Sequence, residues 1–162
     1  MGVGVMETVI RPLVEGDLGD VVAMERANQP APWSEGMFRD EMTAANRVYL
    51  VAEDERIVAF GGIMVVGDEA HVTNLLVDAA VRRRGLGLRL MIALIEAAIT
   101  IGARHLTLEV RTGNEAARSL YATLGLAPVG IREGYYGDDD ALIMWAHDID
   151  AAPYRSRLEA LR

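Results

Sequence analysis

Apolar and polar positions follow two periods along this chain. Residues 7–14 read as a strand, and Leu18, Val21, Val22 and Met24 within residues 16–28 recur at roughly helical spacing. The Pro-rich stretch Gln29-Pro30-Ala31-Pro32-Trp33 breaks that pattern. Ser34 then stands as an N-cap for a second helix through about Thr43. Residues 47–53 and 57–66 are β-branched runs joined by Asp54-Glu55-Arg56, and Gly67-Asp68-Glu69 turns the chain into residues 70–77, so three strands in succession predict an antiparallel meander. The period then changes. Residues 85–102 form an almost wholly apolar helical stretch whose main polar positions, Arg89, Glu96 and Thr100, fall on one narrow stripe, as in a helix buried on most sides.

Residues 104–111 alternate, with Leu106, Leu108 and Val110 on one face and Thr107, Glu109 and Arg111 on the other, which is the signature of a half-buried strand. Asn114 can cap a helix that runs to Leu124 and ends at Gly125, and the strand-like residues 127–132 and 141–149 flank a polar loop. The order β, α, α, β, β, β, α, β, α, β, β predicts an α/β (α+β) domain over residues 1–150. Its mixed central sheet has helices on both faces, and the buried helix makes the crossover between two parallel strands. Residues 151–162 are expected to be a marginal helix or a disordered tail. No repeat or internal linker divides the chain.

Composition narrows the chemistry. Cysteine is absent, which excludes disulfides, thiolate catalysis and cysteine-ligated metals. The sixteen basic residues are all arginine, so neither a Walker lysine nor a Schiff-base lysine is present. His71, His105 and His147 lie far apart and form no short ligand motif, so no metal is expected. A net charge of −8 argues against general nucleic-acid binding and suits a cationic substrate, although it also serves solubility alone. No apolar run approaches the ~18 residues of a membrane span, and no leader pattern opens the chain, so a soluble cytoplasmic protein is expected.

The most informative stretch is Val77-Asp78-Ala79-Ala80-Val81-Arg82-Arg83-Arg84-Gly85-Leu86-Gly87, where a strand end leads through a cationic link into glycines that open an apolar helix. Glycines let backbone N–H groups approach a pyrophosphate, the first helical turn adds unpaired donors and a positive dipole end, and arginine adds charge-assisted contacts. A dinucleotide-binding turn is a rival, with Glu109 imitating its acidic residue. Against it, Leu90 stands where a third glycine should be, and seven residues separate the strand from Gly85. A basic turn that merely caps the helix is the other alternative.

Arg82-Arg83-Arg84-Gly85-Leu86-Gly87 matches the acetyl-coenzyme A loop [QR]-x-x-G-x-[GA] of the GNAT N-acetyltransferases, and Asn114, Ala117, Tyr121 and Gly125 match a second motif of that family, N-x-x-A-x-x-x-Y-x-x-x-G. The chain resembles this family over residues 5–149. Within it, Pro32-Trp33-Ser34, Leu108-Glu109-Val110-Arg111 and Tyr135-Tyr136 are similar to the RimI type, the ribosomal-protein alanine N-acetyltransferases. The resemblance implies the GNAT fold, with a parallel strand pair that splays at the cofactor site. It implies acetyl-CoA as cosubstrate and direct transfer to the N-terminal α-amine of a protein or peptide, with the N-terminal alanine of a ribosomal protein as acceptor.

By the same resemblance Glu109 is the base, acting through water, and Tyr121 the acid. Arg82, Arg83, Arg84, Gly85, Leu86, Gly87, Asn114 and Tyr121 would hold the cofactor, and the strand carrying Leu76 and Val77 would supply N–H groups to the thioester carbonyl. Seven residues separate Asn114 from Tyr121, two helical turns, so both are expected to point to one side. Trp33, Tyr135 and Tyr136 are candidate substrate contacts on loops.

Bland roles compete at each position. Glu109 could be a surface carboxylate paired with Arg111 or Arg118, Tyr121 a packing residue, the loop aromatics part of the core, and Asp138-Asp139-Asp140 a solvated turn or an attractor of a basic substrate. Two departures from the family stand out. Leu126 follows Gly125 in place of phenylalanine, a change expected to alter packing only. Gly137 replaces the proline common after Tyr-Tyr, which predicts a less constrained substrate loop. Rival functions are a GNAT that acetylates a small amine such as a polyamine or aminoglycoside, and a non-catalytic acetyl-CoA-binding module. A monomer is favoured.

Overall fold

The computed structural model describes residues 7–162, so the first six positions of the expected 1–150 domain lie outside the described residues. Seven strands and five α-helices follow in the order β1 (Val9–Pro12), α1 (Leu18–Asn28), α2 (Glu35–Thr43), β2 (Arg47–Glu53), β3 (Ile57–Val66), β4 (Glu69–Val77), α3 (Leu86–Thr100), β5 (His105–Arg111), α4 (Glu115–Thr123), β6 (Ala127–Arg132), β7 (Ala141–His147) and α5 (Ala152–Leu161). The strands form one mixed sheet in the order β1-β2-β3-β4-β5-β7-β6. The chain divides into two compact units: one takes the described residues up to Met64 together with Thr73–Ala97, and the other takes Val65–Val72 with Ala98–Arg162.

In the first unit β1 pairs antiparallel with β2 from Val9↔Glu53 to Pro12↔Leu50, and β2 pairs antiparallel with β3. Pro12 has no N–H to give to a ladder, which suits the edge strand it closes. The helix expected over residues 16–28 starts later, after a 3₁₀ turn at Glu15–Asp17. Asp17 fixes that entry by accepting the Val14 N–H at 2.9 Å and both Arg11 Nη groups at 2.8 Å. The hydrogen bonds from Arg11 hold its carboxyl below the usual range. Ser34 caps α2 as expected, its Oγ accepting from Met37 N at 3.2 Å.

The core here gathers Leu18, Val21 and Val22 of α1, Phe38 of α2, and Tyr49, Val51, Ile57, Phe60 and Leu76 of the strands. Gly62 gives room to one of these. A Cβ at Gly62 would overlap Cε2 of the Tyr49 ring, and that ring is anchored by its hydroxyl, which donates to Asn74 Oδ1 and accepts from Thr73 Oγ1, both at 2.8 Å. Gly62→Ala is therefore expected to destabilise the protein by about 2–3 kcal/mol, the cost of overpacking a rigid site. The readout is a lower urea midpoint at unchanged slope. An unchanged midpoint would mean that the Tyr49 ring can move aside.

In the second unit β4 enters parallel to β5, with Glu69↔His105, Ala70↔Leu106 and His71↔Thr107 in register, while β4 continues to Val77 and β5 to Arg111. β7 pairs antiparallel with both β5 and β6. Residues 151–162 contribute a packed helix, α5, in which Tyr154 and Leu158 are buried and the Tyr154 hydroxyl donates to the Leu124 carbonyl at 2.7 Å. That bond caps the end of α4, where Gly125 turns with φ +87°. In the first unit α3 fits its expected burial, with Leu90, Met91, Leu94 and Ile95 at 0% exposure. Among the described residues no helix is long and apolar enough to cross a membrane.

Candidate functional site

The candidate residues fall in both units. In the first, the link from β4 to α3 is rigidly begun and openly ended. Asp78 closes a 3₁₀ turn at Ala79–Val81 by accepting the Ala80 N–H at 2.9 Å, and its other oxygen accepts from Arg56 Nη1 at 2.7 Å. These two bonds hold its carboxyl below the ordinary range. Arg82, Arg83, Arg84 and Gly85 then stand exposed.

Arg82 folds back, its Nε donating to the Val77 carbonyl at 3.0 Å, so its charge is oriented by the end of β4. Arg83 and Gly85 both have left-handed backbone, with φ +66° and +78°. A Cβ at Gly85 would meet nothing within 4 Å, so glycine there answers a conformational need and not crowding. A non-glycine residue held at positive φ, as Arg83 is, costs about 1–2 kcal/mol, a strain that recurs where a loop receives a ligand.

The donor set fits a pyrophosphate. Three exposed arginines precede the first turn of a 15-residue helix, whose leading N–H groups have no partner within the helix. Leu86 is 2% exposed and Leu76 7%, so both side chains belong to the core and only their main chains could serve a ligand. Val77 is half-buried and its carbonyl is taken by Arg82. Trp33 is half-buried, packing against Phe38 with ring centroids 5.3 Å apart.

Glu25, which the sequence did not single out, holds the Trp33 loop. Its Oε2 accepts the Trp33 backbone N–H at 3.0 Å, and burial raises its pKa against that bond's lowering effect. The signal was available: position 25 continues the buried 18, 21, 22 stripe of α1.

In the second unit Glu109 projects from β5 on the face opposite Leu108 and Val110. Its carboxylate is 17% exposed and meets two partners, His71 Nε2 at 2.6 Å from Oε2 and Arg132 Nη1 at 3.6 Å from Oε1. Neither partner is one the sequence suggested. Arg111 instead binds Asp138 at 2.6 Å and lies 4.4 Å over the Tyr136 ring, and Arg118 donates to the Thr112 carbonyl.

Asn114 caps α4, its Oδ1 accepting from Ala117 N at 3.1 Å, and only its amide NH2 is left for a ligand. Asn114 is exposed at the cap and Tyr121, two helical turns on, is buried. Burial, then the nearby Tyr136, pushes the Tyr121 phenol up to about 12. Its hydroxyl makes no hydrogen bond within the described residues.

Tyr135 is exposed and Tyr136 half-buried, in a loop turned by Gly134 and Gly137 at φ +63° and +83°. Gly137 adopts a conformation closed to proline, whose ring fixes φ near −65°. Asp138 is tied to Arg111, Asp139 to the Thr112 hydroxyl and Gly113 N–H, and Asp140 to the Gly134 N–H. The acidic run is thus a bonded turn. Leu126 is buried at 4%, consistent with a packing role.

Residues 18–126 match the acetyltransferase (GNAT) family. The [ribosomal protein bS18]-alanine N-acetyltransferase of Salmonella typhimurium is 39% identical over 132 residues, spanning 79% of this chain and 89% of that protein. The enzyme of the same name from Escherichia coli K12 is 35% identical over 139 residues, spanning 83% and 94%. The crystal structure of the ribosomal-protein-S18-alanine N-acetyltransferase from Escherichia coli superposes with a TM-score of 0.78 at 34% identity, covering 87% of this chain and 94% of the other. Arabidopsis thaliana NAA60 in complex with acetyl-CoA shares the fold at a TM-score of 0.81 and 19% identity, covering 89% and 99%.

Proposed function

Because the chain belongs to the GNAT acetyltransferase family, we propose that it acetylates the N-terminal α-amine of a ribosomal protein, with alanine as the first residue, in the cytoplasm. Acetyl-CoA supplies the activated acetyl group as a thioester. The observation that carries the reading in this chain's own residues is the state of Glu109 and Tyr121. One is a carboxylate oriented by two cationic or donor groups. The other is a buried phenol with its proton uncommitted.

An α-amine with a pKa near 8 is about one-tenth free base at neutral pH, so a carboxylate reached through one water suffices to remove the ammonium proton. Glu109 takes that role. The neutral amine then bonds to the acetyl carbon as the carbon–sulfur bond breaks, and the second proton of the nitrogen is released to water, leaving the amide and the coenzyme A thiolate. Main-chain N–H groups of residues 74–77 polarise the carbonyl, and Tyr121 donates to the departing sulfur.

Burial raises the Tyr121 phenol above its ordinary value to about 12, so its proton stays on oxygen at neutral pH and is available to be donated to the departing sulfur. Tyr121→Phe is accordingly expected to lower kcat by about ten- to a hundredfold with little change in either KM, checked by steady-state thiol release. An unchanged kcat would return Tyr121 to packing. Arg82, Arg83, Arg84, Gly85, Gly87, the main chain of Leu86 and the Asn114 amide serve acetyl-CoA in this reading, and Trp33, Tyr135 and Tyr136 serve the peptide.

Thiol release with three acceptors tests the class of substrate: a short peptide beginning Ala-Arg, its N-terminally blocked twin retaining an internal lysine, and spermidine. Preference for the free peptide is expected. Turnover of spermidine alone would move the protein to a small-amine branch, and turnover of none would favour a non-catalytic binding module.

A further inference from the structure

The parallel register places His71 of β4 beside Thr107 of β5, and Glu109 lies two residues further along β5 on the same face. The glutamate side chain reaches back along that face to His71. Arg132 arrives from the other side, since Arg132↔Ala141 and Arg111↔Ala141 form one rung across β6, β7 and β5. One carboxylate is thus addressed from two neighbouring strands, and unequally. A separation of 2.6 Å from His71 is a short hydrogen bond, whereas 3.6 Å from Arg132 is an ion pair too long to be one.

With Glu109 ionised, as its reading as the base requires, it can only accept, so Nε2 of His71 is the donor in the short contact and Oε2 the acceptor. The lone pairs of Oε1 then remain to receive a proton. We propose that His71 is a positioning residue for the acetyl transfer, fixing the rotation of the Glu109 carboxylate so that Oε1 is presented as the proton acceptor. The inference rests on the reading of Glu109 as the base and adds a residue to it. No covalent step is involved: the proton removed from the ammonium group passes through water to Oε1, while the Nε2–H of His71 stays in place.

The test uses the full chain and the Ala-Arg peptide, with kcat and both KM values measured for His71→Ala, His71→Gln, Glu109→Gln and the double variant His71→Ala with Glu109→Gln. The His71 side chain is 33% exposed, so truncation leaves no sealed cavity. His71→Ala is expected to lower kcat by about tenfold with each KM within about twofold, as for an orienting partner of a base. His71→Gln, whose amide N–H can donate in place of Nε2, should recover most of the loss. The loss should vanish when Glu109 is already glutamine.

A wild-type kcat in His71→Ala, no recovery in His71→Gln, or an equal tenfold loss in the Glu109→Gln background would each overturn the inference. If Glu109→Gln is itself impaired in those cases, the base reading stands without His71. A Glu109→Gln enzyme with unchanged kcat overturns both.

Discussion

Glu109→Gln is expected to lower kcat on an N-terminally free peptide by about 10²–10⁴-fold, the usual contribution of a positioned general base, while leaving acetyl-CoA affinity within about twofold. At a thousandfold this is about 4 kcal/mol of transition-state stabilisation. The substitution is nearly isosteric. The glutamine carbonyl can still accept from His71 Nε2, so the packing around β5 should survive, and what is removed is basicity and the attraction of Arg132. Cofactor affinity, measured by calorimetry, separates this from misfolding. A loss of acetyl-CoA binding in step with kcat would mean that Glu109 supports the fold instead of the chemistry.

Phe60→Ala is expected to cost about 4 kcal/mol of stability, within the range for removing a buried phenylalanine ring. Phe60 is 2% exposed and meets Phe38 edge to face with centroids 5.5 Å apart. Phe38 in turn packs against Trp33, so one cavity would loosen α2 and the loop before it. The measured consequence should be a fall in Tm of about 10 °C or more. A fall of only a few degrees would show that α2 settles into the space left behind.

Much of this was written in the local pattern. The runs at residues 47–53, 57–66 and 127–132 are strands at those bounds, because β-branched runs and turn residues are local signals. The Ser34 and Asn114 caps were also legible, since a cap is a contact between near neighbours. The phosphate loop was legible through its arginines and glycines, but the left-handed Arg83 was not, because no side-chain rule calls for it.

What the pattern could not supply were partners set by strand pairing. His71 looked like one of three scattered histidines until the parallel register brought it to Glu109. Arg111 looked like the natural partner of Glu109 until the loop returned Asp138 to it. The bonds that Asp138, Asp139 and Asp140 make across the loop around Gly137 were hidden for a related reason, since their partners are set by the return of the chain.

The central claim concerns where the acetyl group lands. A peptide beginning with alanine and carrying an internal lysine, incubated with acetyl-CoA and the enzyme and then sequenced by tandem mass spectrometry, reads this directly. The account predicts acetylation of the alanine α-amine alone, at a rate lowered by about a hundredfold or more by the Glu109→Gln substitution. Acetyl on the lysine side chain, or an unmodified peptide from an enzyme that turns over spermidine, would contradict it.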